Sequence, residues 1–155
     1  DRINLQDIAP LTDKDYFVRG STALYDAVAL GIRKIANVQK QTKLEGRADK
    51  VIMVITTDGY ENSSRETNAA MLHKMIDDCK KNGWEFLFLG TDIDAQAAAG
   101  SIGIESYRAS NYVKDAQGVR VQYDSLNVAI SAMRSGAPLP ADWKDKLDED
   151  NKRAK

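Results

Sequence analysis

Two short apolar runs constrain this chain more than any other feature. Val51-Ile52-Met53-Val54-Ile55 is bounded by Lys50 and Asp58, and Phe86-Leu87-Phe88-Leu89 ends at Gly90-Thr91-Asp92. Both are shorter than a typical buried helix, and the first is rich in β-branched residues. They therefore predict strands covered on both faces, as in a parallel sheet. Parallel strands need long crossovers, and amphipathic stretches lie where the crossovers belong. Leu24, Val28, Gly31, Ile32, Ile35 and Val38 recur at helical spacing, predicting a helix from about Thr22 to Gln39. Ser21 or Thr22 is suited to cap it, and Asp26 falls in the first turn, where the helix dipole favours a carboxylate. Residues Gln41–Asp49 read as a polar connector.

Between the two runs, Ser63 and Glu66 have capping-box spacing, and Leu72, Met75, Ile76 and Cys79 line one helical face. Asn82-Gly83 supplies the stop. After the second run, Asp94 is placed to cap a short helix from Ala95 to Gly100, and Glu105–Ala109 reads as a third strand. Val119, Val121 and Tyr123 alternate, as in an edge strand or hairpin arm around Gln117-Gly118. Ser125 then opens a helix carrying Leu126, Ala129, Ile130 and Met133, stopped by Gly136 and Pro138. The order helix, strand, helix, strand, helix, strand, helix predicts an α/β fold. Its mainly parallel sheet is doubly wound and Rossmann-like, with helices on both faces.

At 155 residues the chain is expected to form one domain with a sizeable core. We place it over residues 1–140, with residues 1–19 polar and irregular. Residues 141–155 follow as a charged tail, with a helical turn docked through Trp143. Ala141–Lys155 carries ten charges of balanced sign, which read as solvation. Twenty-two basic against 23 acidic residues give no global case for nucleic acid or an anionic membrane. No apolar run is long enough to span a bilayer. The single cysteine excludes a disulfide scaffold or a multi-cysteine zinc site, and the single histidine argues against a histidine-based centre. Cys79 reads as core, His73 as surface, and Trp84 as packing at a strand start. The chain begins at Asp1, without Met or a signal-peptide pattern, as expected of a processed or cloned fragment, and a cytoplasmic location is the default.

In doubly wound sheets ligands sit at the carboxyl ends of the strands, which directs attention to Asp58 and Asp92. Asp58, after Thr56-Thr57, is placed to hold a hard cation directly or through water. The Thr22 hydroxyl is a second oxygen ligand, or only a cap. Asp92 and Asp94 form a D-x-D that holds a metal or caps the next helix. Glu61 and Asn62 lie close enough in sequence to support Asp58 or merely to shape its loop.

Three segments, Gly20-Ser21-Thr22-Ala23-Leu24-Tyr25-Asp26-Ala27, Val54-Ile55-Thr56-Thr57-Asp58-Gly59-Tyr60-Glu61-Asn62-Ser63 and Trp84-Glu85-Phe86-Leu87-Phe88-Leu89-Gly90, resemble the later part of a von Willebrand factor A domain. The single-domain bacterial and phage members are the nearest in kind, and the likeness spans roughly Tyr16 to Gly136. The resemblance implies a non-enzymatic binding module that engages a protein partner through Mg²⁺ or Mn²⁺, whose open coordination position takes the partner's carboxylate. Thr22 matches the family's metal-binding Thr and Asp58 its Asp. Ser21, Gly59, Glu61 and Asp92 then support the site or the ligand. The family's D-x-S-x-S loop, which lies upstream of the Thr, does not occur in this chain. The resemblance thus implies a partial domain with an incomplete, weak cation site.

The family's first strand would lie beside Val51–Thr57. Without it, that strand is expected to be an apolar edge that self-associates or pairs with a missing segment. The alternatives are a Mg²⁺-dependent phosphotransfer or hydrolase enzyme using Asp58, or an assembly subunit with a vestigial crevice. The enzyme reading lacks an evident nearby Lys, a D-x-D-x-T motif, a phosphate loop and a Ser/His/Asp set.

Overall fold

The computed structural model describes residues 4–15 and 20–154. Three strands, β1 (Ile52–Thr57), β2 (Glu85–Gly90) and β3 (Ala109–Asn111), form one parallel sheet in the order β1-β2-β3. The helices are α1 (Leu24–Gln41), α2 (Ala69–Lys81), α3 (Ala95–Ser101), α4 (Ala116–Arg134) and α5 (Asp145–Arg153). The α/β order and the two-sided covering agree with the expectation from the sequence. Leu5–Asp7 is a short 3₁₀ turn in the otherwise irregular segment before α1, and a second one, Leu44–Gly46, interrupts the polar connector.

Two cores flank the sheet, and strand alternation assigns each side chain to one of them. Ile55, Phe86 and Phe88 pack with Val28, Ile32, Leu72 and Ile76 under α1, α2 and α3. Leu87 and Leu89 face the other way, against Leu126, Ala129, Met133, Trp143 and Leu147 of α4 and the α5 region. Each fully buried side chain of this size contributes roughly 1.5–3 kcal/mol. All four apolar residues of β2 are buried, as a central strand requires, whereas β1 is only partly covered.

Several local expectations hold. Asn82 ends α2, Gly83 follows in the left-handed region (φ 79°), and the Asp94 carboxylate accepts the Ala97 N–H at 2.9 Å at the start of α3. Cys79 packs against the first core, where burial and the neighbouring Asp78 charge push its thiol up. His73 is exposed, 3.5 Å from Asp77, and Trp84 stacks on Phe86.

Four expectations are corrected. The third strand begins at Ala109, because Ser106–Arg108 winds into a 3₁₀ turn. Val119, Val121 and Tyr123 belong to α4, not to a strand: the Asp115 carboxylate caps the Gly118 N–H at 2.7 Å and starts the helix nine residues before Ser125. Ser125 is accordingly a buried mid-helix residue and caps nothing. The Ser63/Glu66 capping box does not form, because Asn68 caps α2 and the Glu66 N–H goes to Asp26. Within residues 141–155 the expected docking through Trp143 is present: Trp143 is 3% exposed and donates its indole N–H to the Tyr107 carbonyl at 2.8 Å, and the helical turn after it extends into α5.

Candidate functional site

The register Thr57↔Gly90 and Gly90↔Asn111 brings the carboxyl ends of all three strands level. Asp58, Asp92 and Tyr112 therefore emerge side by side. Thr22 is carried to the same end by the turn into α1. Asn62 holds it there twice: the Thr22 N–H donates to Asn62 Oδ1 at 2.8 Å, and the Asn62 N–H donates to the Thr22 carbonyl at 3.0 Å. Thr22, Leu24, Ala27, Thr57, Asp58 and Tyr112 line one open cleft of about 370 Å³. The two residues expected to ligate a cation are thus brought together.

Gly59 follows Asp58 and passes close to Thr22. A Cβ on Gly59 would lie 3.7 Å from Thr22 Oγ1, so the loop backbone passes directly beside the Thr22 hydroxyl. The Thr57 hydroxyl donates to the Gly59 carbonyl at 2.8 Å, which keeps it turned into the loop. The Asp58 carboxylate and the Thr22 hydroxyl also stand in this cleft, beside the Tyr112 phenol. They are hard donors, and Mg²⁺ is commonly held by one or two carboxylates with several waters retained. The donor set therefore fits a largely hydrated cation bound weakly. Among the described residues no three His, Cys, Asp or Glu side chains form a ligand group.

The remaining expected site residues have other partners. Ser21 and Thr22 do not cap α1: the helix starts at Leu24 after Ala23, so their oxygens lie outside the capping position. The orphan N–H groups are capped from a distant loop instead. Tyr25 N–H donates to Glu61 Oε2 at 2.9 Å and Asp26 N–H to Ser64 Oγ at 3.1 Å. Glu61 also accepts from the N–H groups of Ser63 and Ser64 and from the Ser64 hydroxyl. Burial pushes its carboxyl up, but these bonds outweigh burial and hold it below its ordinary value. Glu61 is thus committed to the loop and is not directed at Asp58.

Asp92 lies in the left-handed region (φ 58°) and is ion-paired with Lys114, whose ammonium is held above its ordinary value first by that hydrogen bond and then by the Asp92 and Asp58 charges. The Tyr112 phenol is raised by burial and then by the Asp58 and Asp92 charges. Tyr112 and Lys114 were missed from the sequence. Both follow β3, and the strand-end rule would have pointed to them had that strand been placed at Ala109–Asn111. Lys114 also supplies the cation beside the aspartates that the sequence reading found lacking.

Comparison of the chain with protein-family models, with curated proteins and with solved structures finds no match. No helix among the described residues is long and apolar enough to cross a membrane.

Proposed function

We propose that the chain is a binding module of von Willebrand factor A type that engages a protein partner through a divalent cation at Thr22 and Asp58. The observation that carries this reading is the shared cleft at the carboxyl end of the sheet, into which the Asn62 clamp on Thr22 brings the Thr22 and Asp58 side chains together. A Mg²⁺ or Mn²⁺ held there by two protein oxygens keeps most of its water. It offers those positions to a carboxylate from the partner. The site is partial, because only two of the family's three ligand loops have counterparts in this chain.

Calorimetric titration with Mg²⁺ and Mn²⁺ tests the reading. Saturable binding in the millimolar range, abolished in Asp58→Ala and weakened in Thr22→Ala, is expected. No binding up to ~10 mM, above the range of the weakest extracellular Ca²⁺ modules, overturns it.

A second reading, Mg²⁺-dependent phosphotransfer on Asp58, has one specific observation in its favour. The Lys114 ammonium sits close enough to feel the Asp58 charge while bonded to Asp92. A mass increase corresponding to one phosphoryl group after incubation with a small acyl phosphate and Mg²⁺, absent in Asp58→Asn, would favour it over the binding module.

A further inference from the structure

The winding of the sheet changes sides between β2 and β3. The chain leaves β1 and β2 for α2 and α3, which pack on the first core, but leaves β3 for α4, which packs on the second. Among the described strands, β2 and β3 are thus the neighbouring pair whose following segments part to opposite faces. Such a switch point opens a crevice at the carboxyl ends of the two strands, and doubly wound sheets bind their ligands there. The Asp58 cleft is a different place, lined mainly by β1 and the segment that starts α1.

The crevice holds an open cavity of about 790 Å³, within the size range of small-molecule sites. Asn111, at the end of β3, fixes its walls. The Asn111 carboxamide donates to the carbonyls of Gly90 and Ile93 at 3.2 and 2.6 Å and accepts the Ala95 N–H at 3.3 Å, which holds the loop into α3. The Asn111 carbonyl accepts from the Asn151 carboxamide at 2.7 Å, which holds α5 on the other side.

The backbone of this crevice has little left to offer an anion. The Asp94 N–H donates to the Tyr60 phenol oxygen at 3.0 Å, the Ala95 N–H to Asn111, and the Ala97 N–H to the Asp94 carboxylate. Side chains supply the free groups instead. The Gln96 carboxamide and the Lys152 ammonium make no hydrogen bond or ion pair among the described residues. Asn151 retains its carboxamide oxygen and Tyr60 its phenolic hydrogen. Asp148 accepts only the Ser110 hydroxyl, at 3.5 Å. Asp92 is already paired with Lys114, so Asp148 and Lys152 are the open charges of the lining, and they cancel. The Tyr60 ring, 57% exposed, lines the same cavity.

We propose that this cavity binds an unphosphorylated sugar ring, free or within a nucleoside, through a pair of adjacent hydroxyls. Each hydroxyl donates and accepts, and the lining provides both partners: carboxylate and amide oxygens, and amide, phenol and ammonium hydrogens. The two oxygens of Asp148, like the oxygen and nitrogen of Gln96, are spaced to meet neighbouring hydroxyls together. The Tyr60 ring supplies an apolar face for the C–H side of the sugar. A phosphate would instead seek free helix N–H groups and an excess of positive charge, and finds neither. The lining groups are solvated in the free protein, so the net gain per hydrogen bond is small and the affinity is millimolar.

The proposal is tested on the full chain in chelator-containing buffer, so that its outcome is separate from cation binding. Saturation-transfer and amide-shift NMR follow titrations with ribose, adenosine, dideoxyadenosine and inorganic phosphate. Saturable millimolar binding of ribose and adenosine is expected, with shifts centred on the amides of Gln96, Asn111 and Asn151. Equal affinities identify the free sugar as the source of the ring, and tighter adenosine identifies the nucleoside; either ranking upholds the site. Dideoxyadenosine, which lacks the diol, should bind about fivefold or more weaker than adenosine. Asp148→Ala and Gln96→Ala, both at exposed positions, should each lower sugar affinity by about fivefold or more and leave the melting temperature unchanged. Asp58→Ala should leave sugar binding unaltered. No saturable binding of ribose or adenosine overturns the proposal. So does dideoxyadenosine binding as tightly as adenosine, affinity indifferent to both alanine variants, or phosphate bound in preference to ribose.

Discussion

The Glu61 carboxylate accepts the N–H of Tyr25 at 2.9 Å, capping α1 from a loop 36 residues downstream. The reverse contact also exists: Asp26, in the first turn of α1, accepts the N–H groups of Arg65 and Thr67 in that loop at 2.8 and 2.7 Å. Two acidic side chains thus exchange caps between a helix start and the segment leading to α2. This clasp orients the turn that bears Thr22 and the loop that bears Asp58.

Replacing Glu61 by Gln removes a charged cap acceptor and should lower stability at neutral pH by about 1–2 kcal/mol. The folded-state carboxyls of Glu61 and Asp26 lie below their ordinary values, Asp26 first through the Arg65 N–H. Their stabilisation is therefore present above the unfolded-state values, near pH 4, and is lost as pH falls through the lower folded-state values. The stability gap between the native chain and Glu61→Gln should narrow as pH falls below about 4.5. Denaturant melts at pH 7 and at successive acid values check this; a gap independent of pH would contradict the clasp.

Gly118 lies in the first turn of α4, where Ala would ordinarily gain about 1 kcal/mol in helix propensity. Here a Cβ would come within 2.0 Å of the Val113 carbonyl oxygen. Gly118→Ala should therefore destabilise the chain, by about 1–3 kcal/mol as an overpacking change. Chemical denaturation of this single variant gives the sign directly.

Trp143 joins α5 to the second core and bonds the Tyr107 carbonyl. Trp143→Ala should cost about 3–5 kcal/mol. Removing residues 141–155 should expose Leu87 and Leu89 to solvent on that face and raise binding of a hydrophobic dye. Unchanged dye binding and melting would return this segment to the status of a solvated tail.

Asp92 adopts a positive φ that costs a non-glycine residue about 1–2 kcal/mol. Asp92→Gly should leave stability within about 1 kcal/mol of the native chain, whereas Asp92→Val, β-branched, should lose about 1–2 kcal/mol or more. Equal melting of the two variants would argue against backbone strain at this position.

The first two buried strands, α1, α2, α3 and the alternating order were legible in the sequence, because apolar periodicity and Asn-Gly or Asp caps are local signals. The third strand was misplaced, because Ser106–Arg108 turns under ties that lie far away in sequence: Arg108 pairs with Glu85 at 2.5 Å and Trp143 reaches Tyr107. The start of α4 was missed because Val119, Val121 and Tyr123 satisfy strand alternation as well as a helix does, and the cap on Asp115 decided between them. For the candidate cleft, Asp58 was singled out by its strand-end position and Thr22 by the resemblance, and the fold places both in one cleft. Lys114, Tyr112 and the clamp by Asn62 were not singled out.

By itself, then, the sequence determined the class of fold, since short apolar runs and helical spacing act within a few residues. The tertiary structure decided what holds the turn bearing Thr22 beside the loop bearing Asp58. Backbone N–H groups at the start of α1 must find acceptors wherever the fold supplies them. They found Glu61 and Ser64 across the crossover, a pairing that no local pattern encodes.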